Sequence, residues 1–174
     1  KVREDFSGRT YLALAFPVPE AGVSSKPYSV LKTILGMRLC KKDSCDKHGQ
    51  TTSFYVPYTK SSGLWGFYID ASSPTDSNEL IENCIKELKQ VGNNDTFTLD
   101  LEMAKNQLTV QKASDLETNG TNVLLSSFLN KISPIEYSNY QMITGPDVIG
   151  AAKKSISSIP SYVILGKTAG VLSY

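Results

Sequence analysis

Two stretches, Tyr11–Phe16 and Leu64–Ala71, set apolar or aromatic side chains on nearly every position of a β-prone backbone. Successive side chains of a strand point to opposite faces, so such runs belong inside a sheet that other elements cover. In the second run Trp65, Phe67 and Ile69 alternate with Leu64, Gly66 and Tyr68, and these aromatic groups read as sheet core rather than a ligand platform. The rest of the chain must therefore supply cover.

It does so in blocks. Val2–Phe6 and Thr10–Phe16 flank Ser7-Gly8 and predict a hairpin, ended by Pro17 and Pro19, which cannot donate to a ladder. Ser24 or Ser25 caps a helix with Pro27 in its first turn and Val30, Leu31, Ile34 and Leu35 on one stripe. Gly36 either ends that helix or lies in a tight contact. Met37–Gln50 then reads as a polar loop holding Arg38, Lys41, Lys42 and Lys47 against Asp43 and Asp46. Strands over Thr52–Tyr58 and Leu64–Ala71 follow, joined through Thr59–Gly63.

Asp76, with Glu79 three residues on, predicts a capping box, and Leu80, Ile81, Cys84, Ile85 and Leu88 form the helical stripe behind it. Glu79, Glu82, Lys86, Glu87 and Lys89 read as its wet face. Gly92 marks its end. A helix is predicted over Leu99–Leu116 through Ala104, Leu108 and Val110, broken at Asn119-Gly120. Leu124, Leu125, Phe128, Leu129 and Ile132 give a second stripe, and Ser133-Pro134 opens a short piece through Tyr140. Gly145-Pro146-Asp147 opens a last helix carrying Val148, Ile149, Ala152 and Ile156. Pro160 stops it before a strand at Tyr162–Leu165. The order predicts an α+β (α/β) fold with a mixed sheet covered mainly on one face by helices.

At 174 residues the chain matches one domain of roughly 100–200 residues, so residues 1–174 are expected to form a single unit. It opens without Met and next to a strand, and is expected to be a piece of a longer polypeptide. Eighteen basic against 17 acidic side chains leave net +1, which gives no global field for nucleic acid or an anionic membrane surface. No apolar run reaches the roughly 18–20 residues of a membrane span.

The sequence holds one histidine, His48, which excludes H-E-x-x-H, H-x-x-E-H and any pair of histidine ligands. His48 reads as an exposed loop residue, and no G-x-S-x-G elbow exists for a serine triad. Cys40, Cys45 and Cys84 lack C-x-x-C spacing and read as reduced thiols, Cys84 in the core. The sequons at Asn94 and Asn119 read as chance matches. Gly63 and Gly66 do not make a dinucleotide fingerprint. Gly166-Lys167-Thr168 imitates the end of a P-loop, but Ser161 stands where the first glycine is required and too few residues follow for the helix. No catalytic, cofactor-binding or metal-ligating residue is assigned, and no cofactor is expected.

Specific strings nevertheless resemble a family. Tyr28–Gly36 is similar to a helix ending "VLxxxLG", and Ser62–Ile69 to a strand "SGLFGFY". Ala104–Leu108 resembles an "AKNKL" helix and Asp147–Lys154 a "DVxNAAKK" helix, while Leu165-Gly166 sits where the family's last strand ends. Four motifs in one order over nearly the whole chain resemble the mitochondrial core proteins. These are non-catalytic members of the pitrilysin-like, inverted-zinc-motif metallopeptidase superfamily, built from two similar halves.

The resemblance implies the C-terminal half of a core-protein-2-like subunit of respiratory complex III, on the matrix side of the mitochondrial inner membrane. Its implied partners are a core-protein-1-like subunit and its own N-terminal half, with neither nucleic acid nor direct membrane insertion. The presequence-binding α subunit of the mitochondrial processing peptidase, with its β partner in the matrix, is the implied alternative. The catalytic β subunit carries a glycine-rich loop after the "VLxxxLG" helix. Met37–Gln50 has only Gly49 there, and is basic and cysteine-containing. Hydrolytic members keep their zinc ligands in the other half, so the non-zinc half of a peptidase is the remaining reading.

Overall fold

The structure, a computed structural model, describes residues 3–4, 8–19, 25–42, 49–59, 62–93, 95–111, 114, 140–167 and 169–171. Five strands form one sheet: β1 (Arg3–Glu4), β2 (Thr10–Pro19), β3 (Gly49–Thr59), β4 (Ser62–Ala71) and β5 (Ser161–Gly166). Their spatial order is β1-β5-β2-β4-β3, antiparallel throughout except for the parallel β1–β5 pair. The helices are α1 (Lys26–Lys42), α2 (Pro74–Lys89), α3 (97–111) and α4 (Gly145–Ser157). The result is the expected α+β mixed, largely antiparallel sheet with its helices on one face, the architecture of a pitrilysin-like half.

Several local expectations are corrected. The hairpin of the first two runs does not form, because β5 inserts between β1 and β2 and pairs with both. β2 does not stop at Pro17 but continues through Pro19 against Ser62. Its pairing with β5 ends at Ala15, opposite Ser161. Beyond that point β2 has β4 on one side only, and a proline nitrogen facing the vacant side costs no ladder bond. β3 and β4 likewise extend to Thr59 and Ser62, which pair with each other.

α1 runs on to Lys42, so Arg38 is helical and buried rather than part of a polar loop. Gly36 does not end it. A Cβ there would sit 2.7 Å from Ser53 Oγ, so glycine lets the helix lie close on β3, where Ser53 donates to the Lys32 carbonyl at 2.8 Å. Tyr28, Ser29, Val30, Leu31, Thr33, Ile34, Leu35, Arg38 and Leu39 are all buried. A helix hidden all round belongs between layers, and α1 packs on β3 from one side and on α2 and α4 from others.

The capping box of α2 lies one turn earlier than the sequence suggested. Ser73 is the N-cap, its Oγ accepting from the Asp76 amide at 3.1 Å and donating to the Asp76 carboxylate at 2.7 Å, with Pro74 at the first helical turn. Gly92 is required by packing, since a Cβ would meet Ile149 Cδ1 at 2.7 Å. In α4, Ser155 rather than Ile156 faces the core. The predicted stripe Leu124–Ile132, the helical piece from Ser133, and the Asn119-Gly120 break lie outside the described residues.

Leu12, Leu14, Phe16 and Val18 of β2 and Trp65, Phe67, Ile69 and Ala71 of β4 point under the helices. Trp65 stacks on Phe16 at 5.3 Å between centroids and meets Phe67 edge-on at 5.6 Å. Each fully buried side chain of this size contributes about 1.5–3 kcal/mol by leaving water. This centre fixes the sheet, and the sheet fixes everything else.

Candidate functional site

The residues weighed as chemical candidates are dispersed. His48, Cys45, Asn94, Asn119 and Thr168 lie outside the described residues. Cys40 is exposed on α1 and Cys84 is buried in α2. Gly63 and Gly66 are consecutive outward positions of β4, where a Cβ on Gly66 would run into the Leu14 carbonyl of β2. Gly166 takes a positive φ of 85°, and Lys167 is held by its backbone. Its N–H donates to the Arg9 carbonyl at 2.9 Å, and its carbonyl accepts from Thr10 Oγ at 2.7 Å. Those groups serve the strand ends and leave no phosphate cradle. Among the described residues no three His, Cys, Asp or Glu side chains gather as a metal site. No helix among them is long and apolar enough to cross a membrane.

Two features remain. The first is a buried ionic junction. Arg38 of α1 donates through Nε to Asp100 of α3 at 2.8 Å, and its Nη1 lies 4.0 Å from Glu87 of α2 and 3.5 Å from the Val91 carbonyl. Thr96 donates to the same Asp100 oxygen at 3.2 Å. One fixed cation thus ties three helices, and neither carboxylate faces solvent. Glu87 is 3% exposed, against the expectation of a wet-face residue. An arginine held between two carboxylates offers neither a nucleophile nor a proton at neutral pH, so the junction is a strut.

The second feature is the outer face of the sheet. Register aligns four rows there: Leu165–Tyr11–Asp70–Gln50, Val163–Ala13–Tyr68–Thr52, Ser161–Ala15–Gly66–Phe54, and Pro17–Leu64–Val56. The middle is floored by Ala13, Ala15 and Gly66 and walled by larger apolar groups. Tyr68 is 44% exposed, Val163 42% and Val56 41%. Arg9 and Asp70 pair at 2.7 Å at one margin, which raises the Arg9 pKa further. Partial burial, then the Asp70 charge, raises that of the Tyr68 phenol. The face is apolar, bordered by one ion pair, and uncovered among the described residues. Its chemistry suits docking.

Neither feature was read from the sequence, although spacing carried both. Arg38 follows Leu31, Ile34 and Leu35 on the buried side of α1, and Glu87 follows Leu80 and Cys84 by seven and three residues on the α2 stripe. Alternation along β2 and β4 placed Ala13, Tyr68 and their neighbours on the other face.

A five-stranded mixed sheet with helices on one face, no metal-ligand group among its described residues and an open apolar face defines a non-catalytic half of a two-part architecture. Residues 1–108 match the model of the Peptidase M16 inactive domain, and the chain belongs to that family. The domain is therefore not itself a peptidase. No curated protein matches the chain.

Among solved structures it is similar to a chain of complex III2 from Candida albicans with Inz-5 bound, at TM-score 0.78 and 16% identity over 99% of this chain and 46% of that one. The periplasmic protease PqqL from Escherichia coli shares the fold at TM-score 0.75 and 15% identity, over 99% and 22%. A protease from Helicobacter pylori does so at 0.77 and 15%, over 94% and 43%. The chain thus spans less than half the length of each structure it matches.

Proposed function

We propose that residues 1–174 are one domain of a longer two-domain chain, the C-terminal half of a core-protein-2-like subunit of respiratory complex III. Its work is assembly: it holds its own N-terminal half and a core-protein-1-like partner on the matrix side of the mitochondrial inner membrane. The open outer sheet face carries this reading. Exposed Tyr68, Val163 and Val56 around a floor of small residues form a contiguous apolar surface that a monomer in water would cover. The shared fold with a complex III chain and the four family strings support the choice of assembly.

A second reading rests on the two protease neighbours: the domain is the non-zinc half of a peptidase, or of the α subunit that supports a processing peptidase. Purification of the intact parent separates these. A cytochrome-bearing membrane complex is expected; a soluble heterodimer that cleaves presequences, or an upstream half bearing H-x-x-E-H, would overturn the complex III assignment. Val163→Glu on the outer face is expected to leave the melting temperature within about 2 °C, as for most exposed substitutions, while releasing the covering element.

A further inference from the structure

The two edges of the sheet are defended unequally. One edge is β1, two residues long. So short an edge offers little to a passing strand. The other is β3, which among the described residues pairs only with β4. Every second residue of such a strand turns its N–H and C=O away from the ladder, and soluble proteins blunt that row with lysine, proline or a bulge. None of the 11 residues of β3 is charged. Its proline, Pro57, and its irregularity between Pro57 and Thr59 both lie at the far end. Gln50–Val56 is left as an unguarded template.

A second observation falls on the same segment. The Thr51 hydroxyl is shut off from solvent and has no hydrogen-bond partner. Ser53, next on that face, already donates to Lys32. An unmet hydroxyl under an open edge is completed by a side chain arriving on the neighbouring strand.

We propose that Gln50–Val56 takes up an extended, uncharged segment of the partner subunit as a sixth strand, with a Ser, Thr or Asn opposite Thr51. The backbone sets the occupant's shape, since only an extended chain meets a row of alternating donors and acceptors. The lack of charge along β3 sets its composition, because an ionised side chain opposite would stand unpaired. Phe54 and Val56 belong to both the edge and the outer face, so one partner covers both. This rests on the scaffold reading above.

The test is amide hydrogen exchange of the full-length parent, once within its native assembly and once dissociated from it. Alternate amides of Gln50–Val56 are expected to slow by about 100-fold or more on assembly, as core strands do relative to open ones. Thr51→Val should leave the dissociated parent as stable as before while weakening the partner about fivefold, the effect of one hydrogen bond. Unchanged exchange in an assembly that does form overturns strand addition and spares the scaffold reading. A parent that purifies alone overturns both. Protection already present in a homodimer of the parent assigns the edge to a second copy and overturns the choice of partner.

Discussion

Trp65 Nε1 donates to Ser155 Oγ at 2.9 Å across the core, and Ser155 passes its own proton to the Ala151 carbonyl at 2.9 Å. The largest buried side chain of β4 is thereby locked to α4 by its single polar atom. Ser155→Ala keeps the shape and strands the indole N–H in an apolar interior. The expected loss is about 2 kcal/mol. That corresponds to a melting temperature lower by roughly 4–8 °C for a domain of this size. Ser155→Thr, which retains the hydroxyl, should lose less.

Arg38 carries the second prediction. Asp100→Ala leaves a buried guanidinium with only the distant Glu87 carboxylate, and breaking such a pair costs about 3–5 kcal/mol. Arg38→Met should cost as much, since it leaves two buried acids facing each other. Replacing Arg38, Glu87 and Asp100 together by Met, Leu and Leu should be milder than either single change, because no uncompensated charge remains. Urea unfolding midpoints of the three proteins check this order.

The approach of α1 to β3 gives a third. Gly36→Ala pushes a methyl to 2.7 Å from Ser53 Oγ, and overpacking of this kind costs about 1–3 kcal/mol. Gly36→Ala combined with Ser53→Ala should be less destabilised than the sum of the two, because the second change removes the obstacle. Gly66→Ala has no such remedy, since its obstacle is the Leu14 backbone. Soluble expression should fall sharply for that variant alone.

At the start of α4, Asp147 accepts from the Thr144 hydroxyl at 2.6 Å and the Thr144 amide at 2.8 Å. The hydroxyl first and the amide second hold its carboxyl below the ordinary value. A carboxylate depressed in the folded state stabilises above its unfolded pKa of about 3.9 and loses that contribution as pH falls through the folded value. Asp147→Asn should therefore flatten the dependence of melting temperature on pH below about 4. It should leave the slope near neutrality unchanged.

β4 and α2 were legible because local pattern and tertiary role coincide there: alternation in one, a five-residue apolar stripe in the other. β1 was not, since its partner β5 lies at the opposite end of the sequence and Ser7-Gly8 imitates a hairpin turn. Pro17 and Pro19 misled for a related reason: whether a proline stops a strand depends on which neighbours that strand has. Arg38 and Glu87 were hidden by chemistry. Charged side chains look solvated unless their spacing is weighed above their polarity, and each is buried only because the other helix brings its counter-charge. The absence of a hydrolytic site was legible from the single histidine, whereas the docking face required the register.

Thr10 faces Gly166 across β2 and β5, and Arg3 pairs with Ile164 beside them. A ribosome making this chain must finish β5 before either neighbour gains its ladder, so the nascent sheet waits half-built with one side of β2 bare. Proteins arranged this way depend on escorts during synthesis and assemble late, with their recruiting surface completed only once the whole domain is free.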